Sequence, residues 1–340
     1  MAGSTDSEVV VVTGASAGVG RATARAFAER NAKVGLLARG EDGLEGARED
    51  IENAGGEAVV VPTDVSNYDE VEAAAETVED AFGPIDVWVN NAMVSVFSPA
   101  AKMTADDYRR VTAVTYLGYV YGTQVALERM RPRDEGTIVQ VGSALAYRGI
   151  PLQSAYCGAK HAIQGFTESV RTELIHDDCD VQLSMVQMPA MNTPQFEWSK
   201  SRMPKQPQPV PPIYQPEVAA RAITWTVDSG EDELWVGRST VKAILGNRLI
   251  PRRLDNYLAS GGYDSQLTDE PTDPDREHNL HEPVAGDFGA HGPFADRARD
   301  RSYQLQASMH RRALALLVGL AVAIASAVVG RRLVSRDTDW

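Results

Sequence analysis

Short apolar runs alternate with longer segments of helical spacing from Glu8 to about Ser260. The intervening segments, such as 21–30 and 71–82, are rich in alanine and repeat apolar residues at a helical period. Nearly continuous apolar strands are typical of a parallel sheet that helices cover on both faces. The pattern therefore predicts one doubly wound α/β domain over residues 1–260, with a single parallel sheet of about seven strands. The predicted strands are 8–13, 33–38, 57–62, 85–90, 136–141, 181–187 and 233–237.

The pattern changes over residues 261–310, which are rich in Asp, Glu, Pro, Gly and His and poor in large apolar side chains. A segment of this composition buries too little surface to offset the entropy of ordering it, so we predict a flexible linker. His278, His281 and His291 lie among prolines and glycines with no scaffold to fix their geometry. We therefore predict no metal site from them.

A third pattern follows the predicted linker. Residues 313–330 carry no charge, and Ser326 is their only polar side chain. Eighteen residues at a 1.5 Å rise span about 27 Å, close to the ~30 Å core of a bilayer. The run predicts a transmembrane helix over 311–332 and a short tail over 333–340; a buried helix or an apolar helix for oligomerisation is the alternative. The flanking arginines are placed to reach the two interfaces: Arg311, Arg312, Arg331 and Arg332.

Net charge and cysteine content limit which ligands and which cellular compartment are expected. The 340 residues include 33 Lys and Arg against 47 Asp and Glu, a net charge of −14. A chain this acidic is a poor partner for phosphate backbones, so nucleic acid is not expected to bind. Two cysteines, Cys157 and Cys179, indicate no disulfide framework, and the N-terminus lacks the features of a signal peptide. We expect a membrane-anchored protein whose α/β domain lies in the cytoplasm.

A glycine-rich turn follows the first predicted strand. Residues 13–20 read TGASAGVG, with the spacing G-x-x-x-G-x-G, and a helical pattern begins directly afterwards. Glycines permit a tight turn and a close approach of the backbone to a pyrophosphate, which a helix N-terminus stabilises. The second strand ends at Arg39, where no acidic residue is available for a ribose hydroxyl and a guanidinium could pair with a 2′-phosphate. The sequence thus predicts a dinucleotide site with NADP(H) preferred and NAD(H) as the alternative.

Three further residues point to proton transfer. Ser143 lies at the end of the segment GTIVQVGS, which contains the fifth predicted strand. Tyr156 follows thirteen residues later, and Lys160 lies four residues after Tyr156. Residues four apart share one face of a helix, and a nearby ammonium favours the phenolate form of tyrosine. Tyr156 is therefore predicted to act as a general acid or base on an oxygen that Ser143 also contacts.

With these motifs the chain resembles the short-chain dehydrogenase/reductase family over about residues 8–245. The resemblance rests on residues 13–20, Asp64-Val65, Asn90-Asn91-Ala92, Ser143 and Tyr156-x-x-x-Lys160. It implies a Rossmann fold, a homodimer or homotetramer, and a carbonyl or alcohol as small-molecule substrate. It also implies that Tyr156 is the acid/base, that Lys160 lowers its pKa and binds the nicotinamide ribose, and that Ser143 positions the substrate.

The resemblance also assigns the cofactor-binding residues. Asp64 is expected to bind adenine, and Thr193 is expected to reach the nicotinamide carboxamide. The full predicted set is Gly14, Ser16, Gly18, Val19, Gly20, Arg39, Asp64, Val65, Asn90, Ala92, Tyr156, Lys160 and Thr193.

Three positions depart from the family pattern. Met93 stands where the family has a glycine after Asn-Asn-Ala, and Ala190 replaces the glycine of a Pro-Gly pair. Thr115 occupies the place of a catalytic Asn that holds a water linking the lysine to solvent protons. We expect Thr115 to preserve this relay and count it among the catalytic residues; a weakened relay or lost catalysis is the alternative.

The segment 188–216 is rich in proline and corresponds to the part of the family that covers the substrate. We predict an apolar lid with Phe196, Trp198 and Tyr214 as pocket walls, the alternative being a proline-rich surface loop. With the predicted anchor, this suggests a hydrophobic, lipid-like substrate. The functional expectation is an NADP(H)-dependent oxidoreductase. Its rivals are a non-catalytic, membrane-tethered NADP(H) sensor or scaffold, and a soluble enzyme whose apolar tail is an oligomer contact.

Overall fold

The strands of the computed structural model reproduce the predicted order. The structure describes residues 7–273, 275–311 and 316. Its strands are β1 Val9–Thr13, β2 Lys33–Ala38, β3 Glu57–Pro62, β4 Val87–Asn90, β5 Val96–Phe97, β6 Thr137–Ser143, β7 Gln182–Met188, β8 Lys200–Ser201, β9 Lys205–Pro207, β10 Ile213–Tyr214, β11 Glu233–Trp235, β12 Leu267–Pro271 and β13 Ala298–Arg299.

Seven of these strands form one parallel sheet in the order β11-β7-β6-β4-β1-β2-β3. The predicted doubly wound sheet of seven strands is therefore confirmed. All five residues of β1 are buried because β1 lies in the middle of the sheet, with helices packed on both faces. The direction of strand order reverses between β1 and β4. Such a reversal opens a crevice at the carboxyl ends of the strands, where open α/β sheets bind ligands.

Helices cover the sheet in two layers. Helix α1 packs against α2 and α8, and α5 packs against α3 and α6. A π-helical turn over Ala113–Leu117 joins α4 to α5. The helices are α1 Gly18–Ala28, α2 Glu41–Asn53, α3 Tyr68–Phe82, α4 Ala105–Thr112, α5 Gly118–Met130, α6 Ser154–His176, α7 Gln195–Trp198, α8 Pro216–Ser229, α9 Arg238–Leu249, α10 Pro251–Gly261 and α11 Tyr303–Met309.

The segment after α10 differs from the flexible linker predicted over 261–310. Strand β12 pairs with β9, and β13 pairs with β10. Residues 276–299, which we call the strap, run along the α/β domain, and Leu280 and Phe294 of the strap are buried. Composition suggested a linker because few large apolar residues are present. The strap is held instead by hydrogen bonds and ion pairs of its backbone and charged side chains.

The C-terminal part of the chain is a separate unit that begins at Tyr303, and helix α11 lies within it. The transmembrane helix predicted over 311–332 and the tail over 333–340 fall outside the described residues, apart from residues 311 and 316. Across the part of the chain that the structure describes, no helix has both the length and the apolar character of a membrane span.

Candidate active site

A large cavity follows the carboxyl ends of the parallel strands. Its volume is about 1090 Å³. One end is lined by Arg39 and Asp64, and the other end by Ser143 and Tyr156. The cavity thus lies at the crevice where strand order reverses, as the topology requires.

The glycine-rich turn forms the middle of the cavity wall. Gly14 has φ +67°, and a Cβ there would lie 2.8 Å from the Cα of Ala92, so only glycine fits. Asn91 holds the turn, since its side-chain amide donates to the carbonyl oxygens of Thr13 (2.9 Å) and Gly14 (3.3 Å). Gly20 lies behind the turn, where a Cβ would meet the Gly14 carbonyl oxygen at 2.2 Å. Gly20 therefore permits helix α1 to approach the turn.

Two arginines and a carboxylate define the end of the cavity near Arg39. Arg110 on α4 donates to Asp64 Oδ2 at 2.7 Å. Burial alone raises the pKa of Asp64, but hydrogen bonds from Arg110 and Ser66 outweigh it and hold this pKa below its usual value. The pKa of Arg39 is lowered by its burial and by the nearby Arg110 charge. This end of the cavity therefore combines one ionised carboxylate with two closely placed cations.

The strap closes over this end of the cavity. Arg39 donates to the carbonyl oxygens of Asn279 (2.5 Å) and His281, and Arg110 donates to that of Leu280 at 2.9 Å. Two arginines thus hold three successive carbonyl groups of the strap. Further along, the strap forms part of the cavity wall through Pro283, Val284, Gly286 and Phe288.

A second set of contacts fixes the strap over the glycine-rich turn. Arg21 of α1 is buried and forms ion pairs with Asp50 and with Asp287 of the strap. The backbone amide of Gly18, at the start of α1, donates to the carbonyl oxygen of Gly289 at 3.1 Å. The strap therefore also faces the helix N-terminus that a pyrophosphate would use.

The opposite end of the cavity gathers the predicted proton-transfer residues. Ser143 is the last residue of β6, and Tyr156 and Lys160 lie on the first turns of α6. The Lys160 ammonium lies 5.6 Å from the centre of the Tyr156 ring. Because one strand and one helix carry all three residues, their spacing in the sequence brings them to one end of the cavity.

Burial dominates the electrostatics of this pair. It raises the pKa of Tyr156, while a hydrogen bond involving Ser143 acts in the opposite direction without reversing the result. Burial also lowers the pKa of Lys160 to about 7. We expected the ammonium to depress the pKa of the tyrosine. In this structure burial is the largest influence on that pKa and raises it, which favours the protonated form of Tyr156.

In the structure the side-chain partner of Lys160 is Tyr119, and Thr115, which we expected to act in the relay, does not hydrogen-bond to Lys160. Its ammonium donates to the Tyr119 hydroxyl at 2.9 Å and to the Val141 carbonyl oxygen at 2.7 Å. Thr115 lies fully buried in the π-helical turn, where its hydroxyl accepts from the amide of Val94 and donates to the carbonyl of the same residue. Both hydrogen-bonding capacities of Thr115 are therefore directed to the backbone that follows β4.

Most predicted site residues line the cavity together. Asn90 does not, because its side-chain amide is buried beneath α5, where it bonds to Thr123 and Gln140 and accepts from Trp88. Gly20 and Thr115 are also absent from the wall. The predicted residues on the wall are Gly14, Ser16, Gly18, Val19, Arg39, Asp64, Val65, Ala92, Ser143, Tyr156, Lys160 and Thr193.

The predicted lid segment is folded and contributes two of its three predicted walls. Phe196 and Trp198 line the cavity. Tyr214 is almost fully buried in β10 and packs near Gly237 instead. Asp107 of α4 anchors this segment through Lys200 (3.0 Å) and Arg202 (2.6 Å). The anchor holds the lid segment against α4.

Sequence reasoning missed Tyr119, Arg110 and the strap. Tyr119 stands four residues after Thr115, so its presence on the same helical face was visible, but its contact with Lys160 depends on how α5 packs. Arg110 precedes the π-helical turn and reaches Asp64 across 46 residues of sequence. A local sequence motif does not predict contacts between residues so far apart in the chain.

The site and the fold agree with comparisons of the whole chain. The model of the short chain dehydrogenase family matches residues 8–203. "Uncharacterized oxidoreductase YxnA" of Bacillus subtilis (strain 168) is 34% identical over 322 residues, which cover 94% of this chain and 90% of that protein. This chain therefore belongs to the short-chain dehydrogenase/reductase family, and it is an oxidoreductase of that type.

Solved structures support the same assignment. An alcohol dehydrogenase from the archaeon Thermococcus sibiricus, complexed with 5-hydroxy-NADP, is 28% identical with a TM-score of 0.59; the match covers 68% of this chain and 96% of that one. A short-chain dehydrogenase/reductase from Burkholderia phymatum in complex with NAD is 25% identical with a TM-score of 0.65, covering 79% and 98%. These two structural relatives bind an NADP derivative and NAD, respectively.

Proposed function

We propose that this protein is an NADP(H)-dependent oxidoreductase that interconverts a carbonyl and an alcohol, with Tyr156 as the general acid/base. The observation that carries the proposal is the arrangement along one cavity. The glycine-rich turn and the Asp64 end fit an adenosine and a pyrophosphate, and Ser143, Tyr156 and Lys160 stand at the far end. Gly14 and Gly18 both have positive φ angles, so the turn takes the tight shape by which a glycine-rich loop brings its backbone close to a dinucleotide.

The roles proposed for the side chains follow from their contacts. The bound cofactor supplies or accepts the hydride. Tyr156 donates its phenolic proton to the carbonyl oxygen during reduction, and burial keeps that proton in place beforehand. Ser143 donates a second hydrogen bond to the same oxygen. Lys160 then stabilises the phenolate that remains, because its ammonium lies beside the ring.

The preference for NADP(H) rests on Arg39. Residues 38–40 read Ala-Arg-Gly, so no carboxylate at the end of β2 accepts from a ribose 2′-hydroxyl. A 2′-phosphate would meet the guanidinium groups of Arg39 and Arg110, which hold strap carbonyls in this structure. NAD(H) is the alternative cofactor.

The setting of the enzyme is also a proposal. The apolar run at 313–330 supports a membrane anchor, with the catalytic domain in the cytoplasm. Phe196 and Trp198, together with the prolines at 209, 211 and 212, give the cavity an apolar wall, which suits a hydrophobic substrate. A homodimer or homotetramer is the proposed assembly.

The proposal is tested by the variant Tyr156→Phe in the full chain, which removes only the acidic hydroxyl. We expect kcat for carbonyl reduction to fall by about 10²–10⁴-fold, with the Kd for NADPH changed by less than about twofold. Tyr68→Phe is the matched control, since the Tyr68 hydroxyl contacts Glu128 and lies outside the cavity wall; this variant retains wild-type turnover. Full activity in Tyr156→Phe would refute the acid/base role. The alternative is a non-catalytic NADP(H) sensor, for which the wild-type chain would bind NADPH and reduce no carbonyl. The hydrogen bonds between Thr115 and Val94 favour this alternative, because they leave Thr115 outside a proton relay.

A further inference from the structure

Helices α9 and α10 carry an unusual charge for this chain. Residues 238–263 contain five cationic side chains and one carboxylate, Asp255, although the whole chain has a net charge of −14. Asp255 itself is paired with Arg148. All five cationic residues are exposed: Arg238, Lys242, Arg248, Arg252 and Arg253. The pair of helices is therefore a local basic face on an acidic protein.

The same face exposes large apolar side chains. Nine such side chains are exposed in the part of the chain that the structure describes, and five of the nine lie between residues 245 and 263. Leu249 is 78% exposed and Tyr257 is 70% exposed, so neither side chain is covered by its own domain. The other three are Leu245, Ile250 and Tyr263. Clustering of this kind marks an interaction surface rather than scattered surface residues.

Cationic and apolar residues share one face of helix α9. On α9, positions 238, 242, 245 and 249 follow a spacing of four, three and four residues, which places them on one stripe. Helix α10 has no fully buried residue, although it carries Leu254 and Leu258. Exposed apolar side chains beside basic ones suit a membrane interface, where the basic groups meet anionic headgroups and the apolar groups enter the acyl boundary.

This face also borders the cavity. The cavity wall includes Arg238 and Lys242 from α9, and Leu254, Tyr257 and Leu258 from α10. Tyr257 is thus both a wall residue and an exposed one. A ligand dissolved in a phase that covers this face would reach the cavity by passing the side chains of α10.

We propose that the α9–α10 face docks on the surface of an anionic phospholipid bilayer and opens the cavity toward it. The charge of the face selects this occupant. Two copies of the chain meeting symmetrically through the face would bring the cationic clusters together, which is unfavourable, whereas anionic headgroups neutralise them. The apolar side chains would then enter the boundary between headgroups and acyl chains. The docking surface is distinct from the predicted span at 313–330 and stands independently of the catalytic proposal.

Hydrogen–deuterium exchange on the full chain tests this surface directly, because it reports on each region without requiring turnover. Vesicles of phosphatidylcholine with about one third phosphatidylserine are compared with vesicles of phosphatidylcholine alone. We expect backbone amides of residues 241–263 to exchange at least fivefold more slowly with the anionic vesicles only, and high salt to reverse the effect. Residues 164–176 of α6 serve as the internal reference and remain unchanged.

Charge reversal supplies the matched pair of variants. Arg252→Glu with Arg253→Glu removes the protection and weakens vesicle binding through this face by at least tenfold, since each basic residue contributes roughly a fivefold attraction. Arg25→Glu with Arg109→Glu makes the same change in net charge elsewhere on the exposed surface and keeps the protection. Vesicle association without protection of 241–263, or protection that both lipid compositions give equally, overturns the proposal. Protection that depends on protein concentration and needs no vesicles also overturns it and shows a contact between copies.

Discussion

Lys160 is buried at the wall of the cavity, where polar groups of the protein replace most of the water around its ammonium. The Tyr119 hydroxyl and the Val141 carbonyl take that place, at 2.9 and 2.7 Å. Tyr119 itself donates to Val141 at 3.0 Å, so its oxygen is oriented to accept from the lysine. Thr115, which the family pattern makes the relay residue, is bonded to Val94 instead. Tyr119 is therefore the residue that positions Lys160 in this chain.

The variant Tyr119→Phe tests this role. The Tyr119 oxygen accepts a hydrogen bond from the Lys160 ammonium, so we expect its loss to lower the pKa of Lys160 below its value of about 7. Because Lys160 acts as an ammonium, activity in the variant declines as pH rises through this lower value. The pH profile of kcat shows the shift, and the KM for the carbonyl changes little.

Thr115→Val is the comparison for Tyr119→Phe. It removes a hydroxyl that contacts Val94, so the expected loss is about 1–3 kcal/mol of unfolding free energy with the pH profile in place. A shifted profile in Thr115→Val, with none in Tyr119→Phe, would show that the relay runs through Thr115 after all.

The contrast between these residues explains how far the sequence could predict the site. Ser143, Tyr156 and Lys160 are carried by one strand and one helix, so their spacing fixes their proximity. Asn90 and Asn91 are neighbours with opposite surroundings, since Asn90 is buried against Gln140 while Asn91 holds the glycine-rich turn. The two side chains face opposite sides of the strand end, and the motif Asn90-Asn91-Ala92 does not say which of them faces the cavity.

At the scale of elements, the strap completes one end of the cavity. It crosses the end near Arg39 and the glycine-rich turn, and it contributes Pro283, Val284 and Phe288 to the wall. Most of its attachments are polar, including the ion pair between the buried Arg21 and Asp287. Hydrophobic patterning therefore could not predict it, because that pattern reports apolar burial and the strap buries few apolar side chains.

We expect a strap in this position to slow the release of a bound dinucleotide. Asp287→Asn removes the charge of one of the two carboxylates paired with Arg21 and leaves the cavity wall unchanged. We expect the dissociation rate of NADPH to rise about three- to tenfold, as measured by stopped-flow chase with excess NADP⁺, because a partly exposed ion pair contributes about 1 kcal/mol. Asp296→Asn changes the same residue type at an exposed strap position and leaves the rate unchanged. Equal rates in wild type and both variants would show that the strap does not limit release.

At the scale of the whole molecule, the periodicity of the chain was sufficient to predict the sheet but not the regions attached to it. The predicted strands from 8–13 to 233–237 correspond to the seven strands of the sheet because buried parallel strands impose a nearly continuous apolar pattern. The negative net charge of the chain did not predict the basic face on α9 and α10. Net charge averages over a surface, whereas binding depends on where the charges lie.

The whole-molecule architecture also determines which form of the protein to assay. Truncation near residue 260 would remove the strap and its contacts with Arg39, Arg110 and Arg21. The full chain is therefore the form in which the cavity is complete.

The most direct test of the account is the steady-state oxidation of NADPH and NADH by the full chain, against a panel of ketones, aldehydes, quinones and long-chain carbonyls. We predict turnover with NADPH and at least tenfold lower kcat/KM with NADH, with the highest rates for hydrophobic carbonyls. Tight binding of NADPH with no turnover of any carbonyl would contradict the catalytic account and support the sensor. Equal use of NADH would contradict the role proposed for Arg39.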